Sequence, residues 1–180
     1  MTPMASSSAS GRARREIPGA RSGWYLDDVA PGTTLSHAHG RTIDDAEHIW
    51  LAWITDNASD VHGDAHRASV GAFGQPVVLG ALTVAIVIGL AEPAVVDAAS
   101  AARGMSGGWR SIALRGPVVA GDTLRAESRI DAVRPAADIG WGLVTRTITG
   151  YNQRGEQVAI IEEVDRDVPS RSVVGHFGRG

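Results

Sequence analysis

The stretch Phe73-Gly74-Gln75-Pro76-Val77-Val78-Leu79-Gly80-Ala81-Leu82-Thr83 decides the fold. A Gly/Pro-rich turn leads into an apolar run that continues to Leu90 and stops before Pro93. This spacing predicts a helix that begins near Val78 or Leu79. Its apolar residues occupy nearly every side of the cylinder, so such a helix must be surrounded by protein. The run is shorter than the ~20 residues a membrane span needs, and it carries Gly80, Thr83 and Gly89. It is therefore a core helix, and no membrane association is expected. Its first amides lack intrahelical partners and sit at the positive helix end, where a carbonyl oxygen can bind.

Working upstream, Thr55-Asp56-Asn57-Ala58-Ser59-Asp60-Val61-His62-Gly63-Asp64 gathers carboxylates, a carboxamide and an imidazole. It follows an amphipathic segment with Ile43, Ala46, Ile49, Trp50, Trp53 and Ile54 at helical spacing on one face. Thr42 and Asp45 resemble a capping pair, so that helix starts there and ends near Thr55. Trp50 and Trp53 are expected on its buried face, the commoner use of such residues. His48 and His66 are expected to face solvent. Thr33 to Arg41 reads as a half-buried strand, and Trp24 to Gly32 marks where the fold begins.

Downstream, Trp109–Val119, Leu124–Val133, Leu143–Tyr151 and Gln157–Val168 read as strands divided by Gly, Pro and Asn turns. Asn152-Gln153-Arg154-Gly155 is the clearest hairpin turn. The expected architecture is α+β, with one curved antiparallel sheet wrapped around a long central apolar helix. The domain is expected over 23–168, flanked by a flexible tail over 1–22 and a C-terminal tail over 169–180.

The bulk numbers agree with one domain. The chain has 180 residues, 43% of them hydrophobic and 21% charged, with a formal charge of -3. That balance offers no basic surface for nucleic acid. All 17 basic residues are Arg, which reflects genome composition sooner than function. The absence of Cys rules out disulfides, thiolate nucleophiles and Cys-ligated metals, and fits a reducing cytoplasm. His37 and His39 share a period-two spacing, but no third ligand accompanies them, and no metal is expected.

Taken together, these residues resemble the hotdog fold and, within it, the MaoC-like dehydratases and (R)-specific enoyl-CoA hydratases. The resemblance covers Trp24 to Val168. It rests on His62 and Asp64, on the Phe73-Gly74-Gln75-Pro76 turn, on Gly80, and on Pro117-Val118-Val119-Ala120-Gly121-Asp122-Thr123-Leu124. Gly150-Tyr151-Asn152-Gln153 with Gly155-Glu156 is similar to the mesaconyl-CoA hydratase-like branch. The resemblance implies a homodimer that pairs two sheets, no cofactor, and an acyl thioester substrate on coenzyme A or a carrier protein. The implied reaction adds or removes water across the α,β bond.

The chemistry needs a proton-transferring group, a holder for water or hydroxyl, and donors for the thioester oxygen. A neutral His suits the first role. The expected catalytic set is His62, Asn57 and Gly80, supported by Asp56, Asp60 or Asp64, with Phe73, Leu79 and Ala81 contacting substrate. Asp64 is favoured as a cap, and Gly80 has close packing as its alternative role. Trp109 and Trp141 are candidates for the acyl pocket or a subunit interface, and Arg103, Arg110 and Arg115 for phosphate contacts.

Asn57 stands where most of the resembled family carry Asp, and it cannot act as a base. Three alternatives follow. Asn57 holds water while His62 alone moves the proton; Asp56 or Asp60 has taken the carboxylate role; or hydration has been lost. The last leaves a hotdog enzyme of altered chemistry, by isomerisation, Michael-type addition or thioester hydrolysis, or a noncatalytic acyl-binding subunit.

Overall fold

The computed structural model describes residues 14–17, 24–92, 107–137 and 139–171. In chain order the elements are β1 (Arg14–Ile17), β2 (Thr34–His37), β3 (Arg41–Thr42), α1 (Asp45–Ile54), α2 (Asp60–Gly63), α3 (Ala65–Ser69), α4 (Gly80–Leu90), β4 (Trp109–Leu114), β5 (Thr123–Pro135), β6 (Trp141–Tyr151) and β7 (Gln157–Pro169). The strands lie in the order β1-β2-β5-β6-β7-β4, with β3 also on β5. Every pairing is antiparallel except β1 with β2. The segment read as a flexible tail thus contributes an edge strand.

Strict alternation builds the sheet: along β6, Val144, Arg146, Ile148 and Gly150 are buried while the residues between them are less so. The central helix α4 lies on this inner face. A methyl group at Gly150 would come within 2.4 Å of Val87 Cγ2, so the glycine lets helix and sheet meet closely. Val87, Ile86, Ile148, Ile161 and Leu124 form the main core.

Arg146 takes an inward place in this apolar stripe. Its Nε donates to Glu163 Oε2 at 2.5 Å, and its Nη1 donates to the Ala91 carbonyl at 2.7 Å. The guanidinium therefore satisfies a carbonyl at the C-terminal end of α4, the end that favours positive charge. The Trp24 ring covers it at 5.6 Å. His37 hydrogen-bonds Ser128 Oγ at 2.9 Å in the same region. Burial first, and then the Arg146 charge, push the His37 imidazole down to about 4.

Four expectations are corrected here. The capping box of α1 is Asp44 with Glu47, where Asp44 accepts from Ala46 N–H at 2.8 Å and Glu47 accepts from Asp44 N–H at 3.0 Å. The helix accordingly turns the opposite face inward: His48 is 1% exposed and Ala52 3%, while Trp50 and Trp53 stand out at 62% and 68%. His48 is thus a core residue, not a solvent-facing one, whereas His66 is exposed. On the single protomer α4 is not enclosed on every side, since Ala81, Ala85 and Gly89 are exposed.

Candidate active site

The polar loop after α1 is shaped by local backbone chemistry. Asp56 adopts a left-handed conformation, φ 52°, that turns the chain out of the helix. Asn57 N–H then donates to the Ala52 carbonyl at 2.9 Å, and Asn57 Oδ1 accepts from Ser59 N–H at 3.2 Å. This Asx-type turn sets up α2, which carries His62. Asp64 caps α3 by accepting from Arg67 N–H at 2.9 Å. The Arg67 guanidinium pairs with Asp60 at 2.5 Å and with Asp64 at 3.6 Å.

His62 is half-buried, and its Nδ1 lies 2.6 Å from the Val77 carbonyl oxygen. A carbonyl only accepts, so Nδ1 carries a hydrogen, and in the neutral ring it is Nε2 that keeps the lone pair. The same two segments are joined a second time by Val77 N–H donating to the Val61 carbonyl at 3.0 Å. Val78 N–H in turn donates to the Val118 carbonyl at 2.7 Å, which ties the segment to the core. The loop bearing the imidazole is therefore laid directly against the chain that enters α4.

At the start of α4, Leu79 is the N-cap and makes no side-chain capping bond. The amides of Gly80 and Ala81 in the first turn have no intrahelical acceptor and are available to an oxyanion. A methyl group on Gly80 would fall 2.3 Å from Leu114 Cδ1, so this glycine also gives β4 room to pack on the helix.

Around this centre, Leu79 is 3% exposed, with its side chain in the core, whereas Phe73 is 50% exposed and Ala81 lies on the surface of the protomer. Asp56 and Asn57 are exposed, and Asp60 is engaged by Arg67. A cavity of about 130 Å³ lies between α2, α3 and the following turn, lined by Val61, Ala68 and Phe73 together with Asp60 and Arg67. Trp141 is buried, while Trp109 is half exposed on the edge strand β4. Arg110 pairs with Glu162 at 3.8 Å, and Arg103 lies outside the described residues. Among the described residues no group of three His, Cys, Asp or Glu is placed to hold a metal.

His48 is the residue that sequence reasoning missed. Its Nε2–H donates to the His62 carbonyl at 3.0 Å, and its Nδ1 accepts from Leu79 N–H at 3.4 Å. The two imidazoles meet edge to face with centroids 6.0 Å apart. His48 and Ala52, four residues apart, share one side of α1, but nothing in the sequence marks that side as the buried one.

A family model for the MaoC like domain matches residues 28–151. The β-methylmalyl-CoA dehydratase of Chloroflexus aurantiacus is 31% identical over 161 residues, which is 88% of this chain and 41% of the relative. The chain thus spans less than half the length of that relative. Among solved structures, a MaoC domain protein from Chloroflexus aurantiacus superposes with a TM-score of 0.70 at 23% identity, covering 84% of this chain and 46% of the other. A MaoC-like dehydratase from Rhodospirillum rubrum superposes with a TM-score of 0.67 at 24% identity, covering 83% of this chain and 99% of the other. The architecture common to these chains is the hotdog fold.

Proposed function

The chain belongs to the MaoC-like domain family, and on that premise we propose that it is a hydro-lyase adding or removing water across the α,β bond of an acyl thioester. The observation that carries this reading is the single tautomer imposed on His62 by the Val77 carbonyl, at 2.6 Å, beside the uncapped first turn of α4. A base and an oxyanion site are thereby built on two segments that are hydrogen-bonded to each other.

In the hydration direction, water gives a proton to His62 Nε2 while its oxygen bonds to the β carbon. The C=C electron pair moves towards the thioester carbonyl, and the resulting enolate oxygen accepts from the Gly80 and Ala81 amides. The imidazolium then returns the proton to the α carbon, and one water has been added. Asn57 holds the water or hydroxyl, Asp64 shapes the loop as a cap, and Phe73 contacts the acyl chain. Leu79 acts through its backbone. The Chloroflexus aurantiacus relative is a β-methylmalyl-CoA dehydratase, which favours a short or branched acyl group here too. No cofactor enters this scheme.

The working unit in this proposal is a homodimer. β4 ends the strand order and presents Trp109, Ile112 and Leu114 at 50%, 45% and 55% exposure, an apolar open edge that a second sheet can extend. Among the described residues no helix is long and apolar enough to cross a membrane. A cytoplasmic location accords with the cysteine-free chain. Mass analysis of crotonyl, mesaconyl and 3-hydroxyacyl thioesters, on coenzyme A and on carrier protein, tests the reading. Gain or loss of one water is expected, and isomerisation or thioester cleavage without it would assign another chemistry.

A further inference from the structure

We infer that His48 is a positioning residue, which holds His62 and the first turn of α4 in one fixed relationship. The inference rests on the reading of His62 as the proton-transferring group. On α1 the large apolar side chains Trp50, Trp53 and Ile54 point outward, while an imidazole occupies a site that is 1% exposed. Burying a polar ring in this way is costly unless its nitrogens are paired. Both are paired, and neither partner belongs to α1.

The partners give the imidazole its role. One is the backbone carbonyl of His62 itself, and the other is the amide of Leu79, the N-cap of α4. A rigid ring thus spans the loop that carries the base and the residue that precedes the Gly80 amide. Together with His62 Nδ1–H to Val77 O and Val77 N–H to Val61 O, it closes a loop of four hydrogen bonds. The bonds require one neutral tautomer of His48, with hydrogen on Nε2 and a lone pair on Nδ1. An apolar side chain of similar size would fill the space without making either link.

The test compares the full-length protein with His48→Leu, which removes both links, and His48→Gln, which keeps a donor at the position of Nε2. Two readouts are taken: kcat and KM with crotonyl and mesaconyl thioesters, and the ¹⁵N spectrum of the His62 ring. In His48→Leu, kcat is expected to fall about 100-fold, the scale of a misplaced reacting group, with KM within about threefold. His48→Gln is expected to recover most of that loss. The His62 ring should pass from one Nδ1–H tautomer to an exchanging pair in His48→Leu only.

Unchanged kcat and an unchanged His62 spectrum in His48→Leu would overturn the inference, as would equal losses in both variants with the tautomer intact. Should His48→Leu fail to fold, His48→Asn takes its place: it is too short to reach the His62 carbonyl but can still accept from Leu79 N–H, so the same outcomes then test the His62 link alone. Should the protein hydrate none of the thioesters, the spectrum alone decides. A tautomer change then keeps the positioning role while the hydration reading fails.

Discussion

The Nδ1 atom of His62 and the carbonyl oxygen of Val77 lie 2.6 Å apart, which places a hydrogen on Nδ1 and, in the neutral ring, leaves the lone pair on Nε2. Val77 is in the segment entering α4, so the contact links the imidazole to the helix whose first amides can hold an oxyanion. The expectations that follow depend on this link and on the packing around it.

Gly80 has two roles that can be separated. Gly80→Ala keeps the backbone amide but brings a methyl group against Leu114 Cδ1, the far end of a half-exposed side chain that can turn aside, so the stability cost is expected at about 1 kcal/mol or less. Activity is expected to fall about 10-fold through displacement. Adding Leu114→Ala should restore both melting temperature and turnover, because the amide is unchanged. Turnover that stays low in the double variant would mean that the methyl group meets substrate directly.

Asp60 and Asn57 are expected to differ. Asp60 is paired with Arg67 with both side chains more than half exposed, so Asp60→Asn should cost under about 1 kcal/mol and change turnover little. Asn57→Ala removes the acceptor for Ser59 N–H as well as the proposed water holder, and a loss of about 100-fold is expected. Steady-state kinetics on the two variants check this. The reverse ranking would return the carboxylate role to Asp60.

His37 should make stability depend on pH. Its imidazole is pushed from 6.5 to about 4 in the folded chain, by burial and then by Arg146. Between those values the unfolded chain binds more protons, so its contribution is complete above pH 6.5 and is lost as pH falls towards 4. The contribution is on the order of 3 kcal/mol. Urea unfolding across this range should show the slope, and His37→Gln, which can still bond Ser128, should flatten it. Arg146, Glu163, Arg166 and Glu92 form the ion-paired group nearby.

The corrected phase of α1 has its own consequence. Trp53, 68% exposed, should be replaceable by Ser within about 0.5 kcal/mol of stability, whereas Ala52→Leu at a 3% exposed site should cost about 1 to 3 kcal/mol. Denaturant midpoints of the two variants decide it. A large cost for Trp53→Ser would mean that another surface covers this face.

The sheet and the central helix could be read from sequence because each carries an uninterrupted local signal. Thr147-Ile148-Thr149 alternates, Gly155 with φ 78° closes the hairpin, and the run to Leu90 is apolar but for Thr83. The orientation of α1 could not be read in the same way, since periodicity finds an apolar stripe but does not say whether the protomer buries it. Trp50 and Trp53 formed such a stripe and face out. β1 gave no signal because Arg14-Arg15-Glu16-Ile17 is too short and too polar to show an alternating pattern, although it pairs with β2. The adjacency of His62 to the segment entering α4 was legible through motif spacing. His48 was not, since its partners are backbone groups 14 and 31 residues away.

The most direct test of the account is mass analysis of water gain or loss on crotonyl, mesaconyl and 3-hydroxyacyl thioesters by the natural protein and by His62→Ala. The account predicts turnover by the natural protein and a loss of at least about 100-fold in His62→Ala, with the fold retained. Full turnover by folded His62→Ala, or none by the natural protein on the whole panel, would contradict it.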